Sequence, residues 1–162
     1  MLDNYIKISK YVAVHKDEIE CICPYGKGPQ AGFVKSAKSR ACYNRSHQKR
    51  ILSLIIMSDG RVYTGPSLPK TYVGKLDSNS FLRTGNGAYI RDSFILEQVF
   101  QMNQHYRGKL KEKKTNGEYL NLSGNKTAHI YTFMKSGYVY GCRSLKDVVD
   151  SGKETGNREK LN

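Results

Sequence analysis

Two kinds of residue cluster in this chain could do chemistry. His15, Asp17, Glu18 and Glu20 fall close together. On an alternating strand or a turn they would gather carboxylates of the kind that hold a divalent metal for nuclease chemistry. Lys35, Lys38, Arg40, Arg45, Lys49 and Arg50 follow, in a stretch from Lys35 to Arg50 that contains no acid. Tyr43 and His47 are interleaved there and can stack or hydrogen bond. Cations at this density suit phosphates spaced along a duplex. A second basic run, Arg107, Lys109, Lys111, Lys113 and Lys114, is opposed only by Glu112.

The basic runs carry more weight than the acids. Whole-chain charge agrees with them: 27 Lys+Arg against 14 Asp+Glu give +13, a field that attracts polyanions. The acids at 17, 18 and 20 read as surface polar residues. Gly26-Lys27-Gly28 and Gly85-Asn86-Gly87 could cradle a phosphate but lack a P-loop or dinucleotide fingerprint, and they read as turns. Cys21, Cys23, Cys42 and Cys142 include no CxxC pair. Reduced, buried thiols are expected rather than a zinc site shared with His15 or His47. His105 and His129 are isolated. The expectation is therefore a non-enzymatic protein without catalytic residues, cofactor, metal or small-molecule substrate.

The positioning elements follow from the apolar pattern. Ile51 to Met57 reads as a buried strand, Ser58-Asp59-Gly60 as a tight hairpin, Arg61 to Thr64 as a second strand and Ser67 to Leu76 as a short helix. Met57, Gly60, Val62, Tyr63, Ser67 and Leu68 recur 77 positions later as Met134, Gly137, Val139, Tyr140, Ser144 and Leu145. Upstream, Tyr5-Ile6-Lys7, Val12-Ala13-Val14 and Ile19 are echoed by Phe81-Leu82-Arg83, Ala88-Tyr89-Ile90 and Ile95, 76 positions on. At the positions of the acidic cluster the second copy has Arg91, Ser93, Phe94 and Leu96, so the scaffold does not need those acids.

Each copy then reads as two short strands, a turn, a third strand, a helix, a strand and the hairpin unit. The first helix is expected near Pro29 to Ala41, with Phe33, Val34, Ala37 and Ala41 on one stripe. A strand follows at Cys42 to Arg45. The second helix is expected within Phe100 to Lys114, with Val99, Phe100, Asn103 and Tyr106 as neighbours and an early end at Gly108. Thr115-Asn116-Gly117 reads as a turn, Tyr119 to Leu122 as a strand, Lys126 to Gly141 as the second hairpin and Ser144 to Val149 as its helix. The tail has no apolar residue before Leu161 and reads as frayed.

The fold class expected is α+β: a tandem duplication of a small strand-rich repeat, with about five or six short strands and two helices in each. The repeats span residues 1–76 and 77–149, packed as one pseudo-symmetric body, and residues 150–162 form a flexible polar tail.

The run from Tyr5-Ile6-Lys7-Ile8 through Val12-Ala13-Val14-His15-Lys16-Asp17-Glu18-Ile19, then a helix, a basic connector and ILSLIIMSDGRVYTGPS, resembles the RemA/RemB-type extracellular-matrix regulators of Gram-positive bacteria. That resemblance implies a cytoplasmic DNA-binding regulator that assembles into rings. The family's basic pair matches Lys49 and Arg50. In the second copy Lys126 is retained, with Thr127 beside it, and a further family arginine falls on Leu52. Phe81-Leu82-Arg83, Tyr89-Ile90 and Ile95 are also similar to the strand pair of LytTR-type DNA-binding domains.

The functional expectation is a nucleic-acid-binding regulatory or architectural protein. Its partner is DNA, or RNA by the same chemistry, and contacts run through the two basic runs and Lys126. Self-association is expected, and membrane attachment is not, because no apolar run approaches a bilayer-spanning length and no signal peptide is seen. A cytoplasmic location follows. The alternative is a basic interaction or inhibitor protein of mobile-element origin that binds an acidic protein.

Overall fold

The apolar run ahead of the Ser58-Asp59-Gly60 turn forms a strand buried along its whole length, because partners cover both of its edges and both of its faces. In the computed structural model, residues 2–25, 50–113, 118–124, 126–148 and 154–157 are described. Strands β1 (Tyr5–Lys7), β2 (Ala13–His15), β3 (Ile19–Pro24), β4 (Ser53–Met57) and β5 (Val62–Gly65) precede helix α1 (Pro69–Val73). Strands β6 (Phe81–Thr84), β7 (Tyr89–Arg91) and β8 (Ile95–Phe100) lead to helix α2 (Gln104–Lys113). Strands β9 (Tyr119–Asn121), β10 (Ile130–Met134), β11 (Val139–Cys142), β12 (Leu145–Val148) and β13 (Glu154–Asn157) complete the described chain. The protein is α+β and strand-rich.

Three sheets result: the hairpin β1-β2, a four-stranded sheet β8-β10-β11-β9, and a seven-stranded sheet β13-β12-β6-β7-β3-β4-β5. One core lies between the two larger sheets, with Cys21, Cys23, Leu54, Ile56 and Ile90 meeting Leu120, Ile130, Met134, Tyr140 and Cys142. On the opposite face of the long sheet, Ile19, Ile22, Ile55 and Phe81 pack with Ile6, Ile8 and Val14 of the hairpin and with Tyr72 and Val73 of α1. A smaller cluster joins Leu110 of α2 to Tyr119, Tyr131 and Val139. The alternation of Cys21 and Cys23 against Ile22 is thus an alternation between two cores. All three described cysteines are buried free thiols.

Local hydrogen bonding repeats along the chain. β6, β7 and β8 begin 76 positions after β1, β2 and β3, and β10 and β11 begin 77 after β4 and β5. The turn bonds Gly60 N–H to Met57 O and Met57 N–H to Arg61 O reappear as Gly137 to Met134 and Met134 to Tyr138. Gly60 and Gly137 both take positive φ, 92° and 93°, which glycine alone adopts without steric cost. Even the irregularities coincide. A bulge at Glu20 interrupts β3 against β4, and one at Leu96 interrupts β8 against β10.

Several expectations are corrected. Ser144 to Val149, expected as a helix, contains strand β12, which pairs antiparallel with β6, Leu145 opposite Thr84. In α1 the corresponding position is Pro69, whose fixed φ starts a helix and whose missing N–H cannot join a ladder; Lys146 has no such restriction. The tail forms β13 over Glu154–Asn157, with Asn157 opposite Lys146. Pairing of this kind uses backbone groups and needs no apolar side chain. Val99 and Phe100 belong to β8, not to the helix, because Gln101 at φ 54° turns the chain between them and α2. α2 continues through Gly108. The readings at Pro29 to Arg45 and at Thr115 to Gly117 lie outside the described residues.

Glu20 is the largest correction, because it is fully buried. Its carboxyl accepts from Tyr140 Oη at 2.7 Å, Ser136 Oγ at 2.8 Å and Ser136 N–H at 3.3 Å. Burial outweighs these bonds and pushes its pKa up to about 7. The folded protein therefore holds a proton that the unfolded chain releases near the ordinary carboxyl value. Stability from this group is complete at low pH and declines as pH rises from about 4.5 to 7, by on the order of 3 kcal/mol. Urea denaturation at pH 5 and pH 8 should show this decline in the wild type, and Glu20→Gln should remove it. Gly65 supplies a second check. A Cβ there would strike the Tyr72 hydroxyl, which is pinned by donating to Ile8 O at 2.7 Å and accepting from Ser67 N–H at 3.3 Å. Gly65→Ala should lower stability by about 1–3 kcal/mol in the same assay.

Candidate nucleic-acid interface

Three chain segments meet at one end of β6, β9 and β11 and form a cleft of about 220 Å³. The β6–β7 turn contributes Gly85 and Asn86. The loop after β9 contributes Leu122, Ser123 and Lys126, and the β11–β12 link contributes Arg143 and Ser144. The turn is held by Gly87 N–H donating to Thr84 O and Ala88 N–H to Thr84 Oγ1. In the loop, Asn121 Oδ1 accepts from Ser123 N–H at 2.9 Å, and Asn121 Nδ2 donates to Lys126 O at 3.1 Å. Two glycines permit the close approach. A Cβ on Gly85 would lie 3.2 Å from Ser144 Oγ, and one on Gly124 would lie 2.9 Å from Asn86 Nδ2.

Among the described residues the lining is rich in donors and has no acid: a lysine ammonium, an arginine guanidinium, two hydroxyls and an amide. Such a set suits a ligand that only accepts hydrogen bonds, such as a phosphate oxyanion. Lys126 and Arg143 are exposed, and Arg143 Nη1 donates to Thr127 O at 3.3 Å. Ser123 is 7% exposed, and among the described residues its Oγ has no hydrogen-bond partner. A hydroxyl so placed has a donor to spare for a ligand in the cleft.

A second cleft of about 390 Å³ lies alongside, lined by Gln104, Arg107, Gly108 and Thr127. Lys126 lines one cleft and its neighbour Thr127 the other, which Arg107 of α2 also lines. A larger apolar groove of about 550 Å³ runs between the end of β8 and α2, with Phe100, Met102, Tyr106 and Phe133 in its walls.

Of the expected site residues, Lys126 lines the first cleft and Arg107 the second. Lys109 is exposed on α2, and Lys111 and Lys113 lie on the same helix. Arg50 is exposed just before β4. Lys35, Lys38, Arg40, Arg45, Lys49 and Lys114 lie outside the described residues. Arg143 and Ser123 were not expected. Neither lies in a charge run. The signal available for them was the neighbouring turn Gly85-Asn86-Gly87, together with the recurrence of Ser144 at the position of Ser67.

The acidic cluster does not converge. Glu20 is buried, Glu18 accepts from Ser58 Oγ at 2.8 Å, and Asp17 N–H donates to His15 Nδ1 at 3.2 Å. Among the described residues, no group of three or more His, Cys, Asp or Glu is placed to hold a metal ion. No helix among them is long and apolar enough to cross a membrane.

Ser123 offers a direct check. Ser123→Ala should leave the stability of the free protein unchanged or raise it by up to about 1 kcal/mol, because the hydroxyl it removes is buried and unpaired. Matched urea denaturation curves measure this. The chain matches no protein-family model, and no curated protein matches it.

Proposed function

We propose that this protein binds nucleic acid through phosphate contacts, as a non-enzymatic regulatory or architectural protein. The observation that carries the reading is the cleft of Lys126, Arg143 and the Ser123 hydroxyl, which among the described residues is lined by no acid and leaves that hydroxyl unpaired, together with the cleft lined by Arg107. It belongs to a chain of net charge +13. Phosphate contacts position a protein on the backbone without reading sequence. Double-stranded DNA is the partner proposed, in a cytoplasmic setting.

The proposal includes the chain's internal organisation. Residues 1–76 and 77–149 are read as two copies of one α+β unit, joined into a pseudo-symmetric body. The shared strand offsets, turn bonds and bulges support that reading. Lys126 then corresponds to Lys49, and the basic stretch before β4 would form the equivalent phosphate contact in the first copy.

A mobility-shift titration of a 20–30 base-pair duplex tests the function. Affinity should fall steeply with salt, with a log–log slope near −0.9 per phosphate neutralised. Lys126→Ala combined with Arg143→Ala should make that slope shallower by about 2 and weaken binding about tenfold or more at 100 mM salt. Loss of binding at every salt concentration, or a slope unchanged in the double variant, overturns the proposal. A nuclease-resistant acidic protein recovered in its place would favour a basic interaction protein.

A further inference from the structure

The seven-stranded sheet is continuous because β7 adds to the free edge of β3, with Cys21 opposite Ile90 and Ile22 opposite Tyr89. Side chains lock the junction. Arg91 donates from Nε to Ile19 O at 2.7 Å and from Nη2 to Lys16 O at 2.8 Å. Tyr138 Oη donates to Gly60 O, and Tyr140 and Ser136 donate to Glu20.

Each half of this junction has a counterpart that is left open. β2 stands at the offset of β7, yet among the described residues it pairs only with β1. β8 stands at the offset of β3, carries the same bulge, and among the described residues pairs only with β10. The exposure difference is large. Ile19 to Cys23 are all buried in β3, whereas in β8 no residue is buried and Leu96 is 69% exposed. Leu96 occupies the place of buried Glu20.

We propose that copies of this protein associate head to tail, β2 of one copy adding antiparallel to β8 of the next. Transferring the β7–β3 register sets Val14 of the second copy opposite Glu97 and Ala13 opposite Gln98. His15 then takes the place of Arg91, near the carbonyls of Ile95 and Asp92. Tyr63 takes the place of Tyr140 and covers Leu96, so an apolar contact replaces the carboxyl–phenol bond. Arg61 takes the place of Tyr138 and reaches Gly137 O. The two surfaces are different and complementary, so the contact repeats from copy to copy instead of closing as an isologous pair. It requires no nucleic acid, and it stands or falls apart from the proposed function.

Light-scattering mass against concentration tests it, on the full chain without nucleic acid at 300 mM salt, where the like charges of the copies are screened. Wild type should grow from 18.4 kDa toward multiples of it as concentration rises to about 100 µM. Leu96→Glu places a carboxylate against Asp59 of the next copy, at the position of Ser136. It should leave only monomer, with an unchanged thermal midpoint. Ala13→Glu should do the same from the other edge. A mixture of the two variants should form a 1:1 dimer and nothing larger, because each retains one intact edge. A wild type monomeric at every concentration overturns the proposal, as does assembly that survives both substitutions. Loss of assembly in Leu96→Glu but not in Ala13→Glu would also overturn it, because that pattern marks a β8-to-β8 pair.

Discussion

The arrangement depends on one strand, β3, being enclosed on every side. β4 takes one edge and β7 the other, and the two faces feed separate cores. The β7 edge comes from residues about seventy positions further along the chain, so the first five strands do not complete their own sheet. The bulge in β3 adds a second demand. It places Glu20 inside, where the Ser136 turn and Tyr140 hydrogen bond to it. A buried carboxyl tolerates few alternative surroundings, and removing any of its donors exposes the cost of its desolvation. This polar contact therefore fixes where the β10–β11 hairpin sits against β3, while the apolar contacts around it supply most of the burial energy.

Much of this was legible in the residues. Strands β1 to β7, the hairpins at Gly60 and Gly137 and the short helix after Leu68 follow from apolar alternation and turn residues. The 76- and 77-residue offsets also mark where equivalent elements begin. Three features resisted reading for identifiable reasons. Glu20 between Ile19 and Cys21 resembles an outward residue on an alternating strand, because a bulge breaks the period without leaving a mark in it. Leu145 matches Leu68, but the following residue decides the element, proline in one place and lysine in the other. Glu154–Asn157 has nothing apolar to announce a strand. The site was half legible. A run of cations points to α2 and the 77-residue offset from Lys49 points to Lys126, whereas Arg143 stands alone in the sequence and joins Lys126 in one cleft through the fold.

The positions that recur and those that differ separate cleanly. Met57, Gly60 and Val62 match Met134, Gly137 and Val139, and their shared work is the hairpin itself. Arg143 faces the cleft where the earlier hairpin has Pro66. Tyr138 makes the junction contact where the earlier hairpin has Arg61, and Leu96 is exposed where Glu20 is buried. The hairpin positions are held in common, whereas the junction contact of Tyr138, the burial of Glu20 and the cleft lining by Arg143 lie where the copies differ.

The late arrival of β7 also sets a schedule. A ribosome adds about 5–20 residues per second. After Cys21 and Ile22 emerge, several seconds pass before Tyr89 and Ile90 are made. Throughout that interval β3 presents an apolar, hydrogen-bond-hungry edge, the feature that makes nascent chains pair with the wrong neighbour. On a crowded polysome the nearest β7 belongs to the chain ahead. The strand that organises the finished protein is thus the one whose exposure during synthesis limits how fast and how densely the protein can be made.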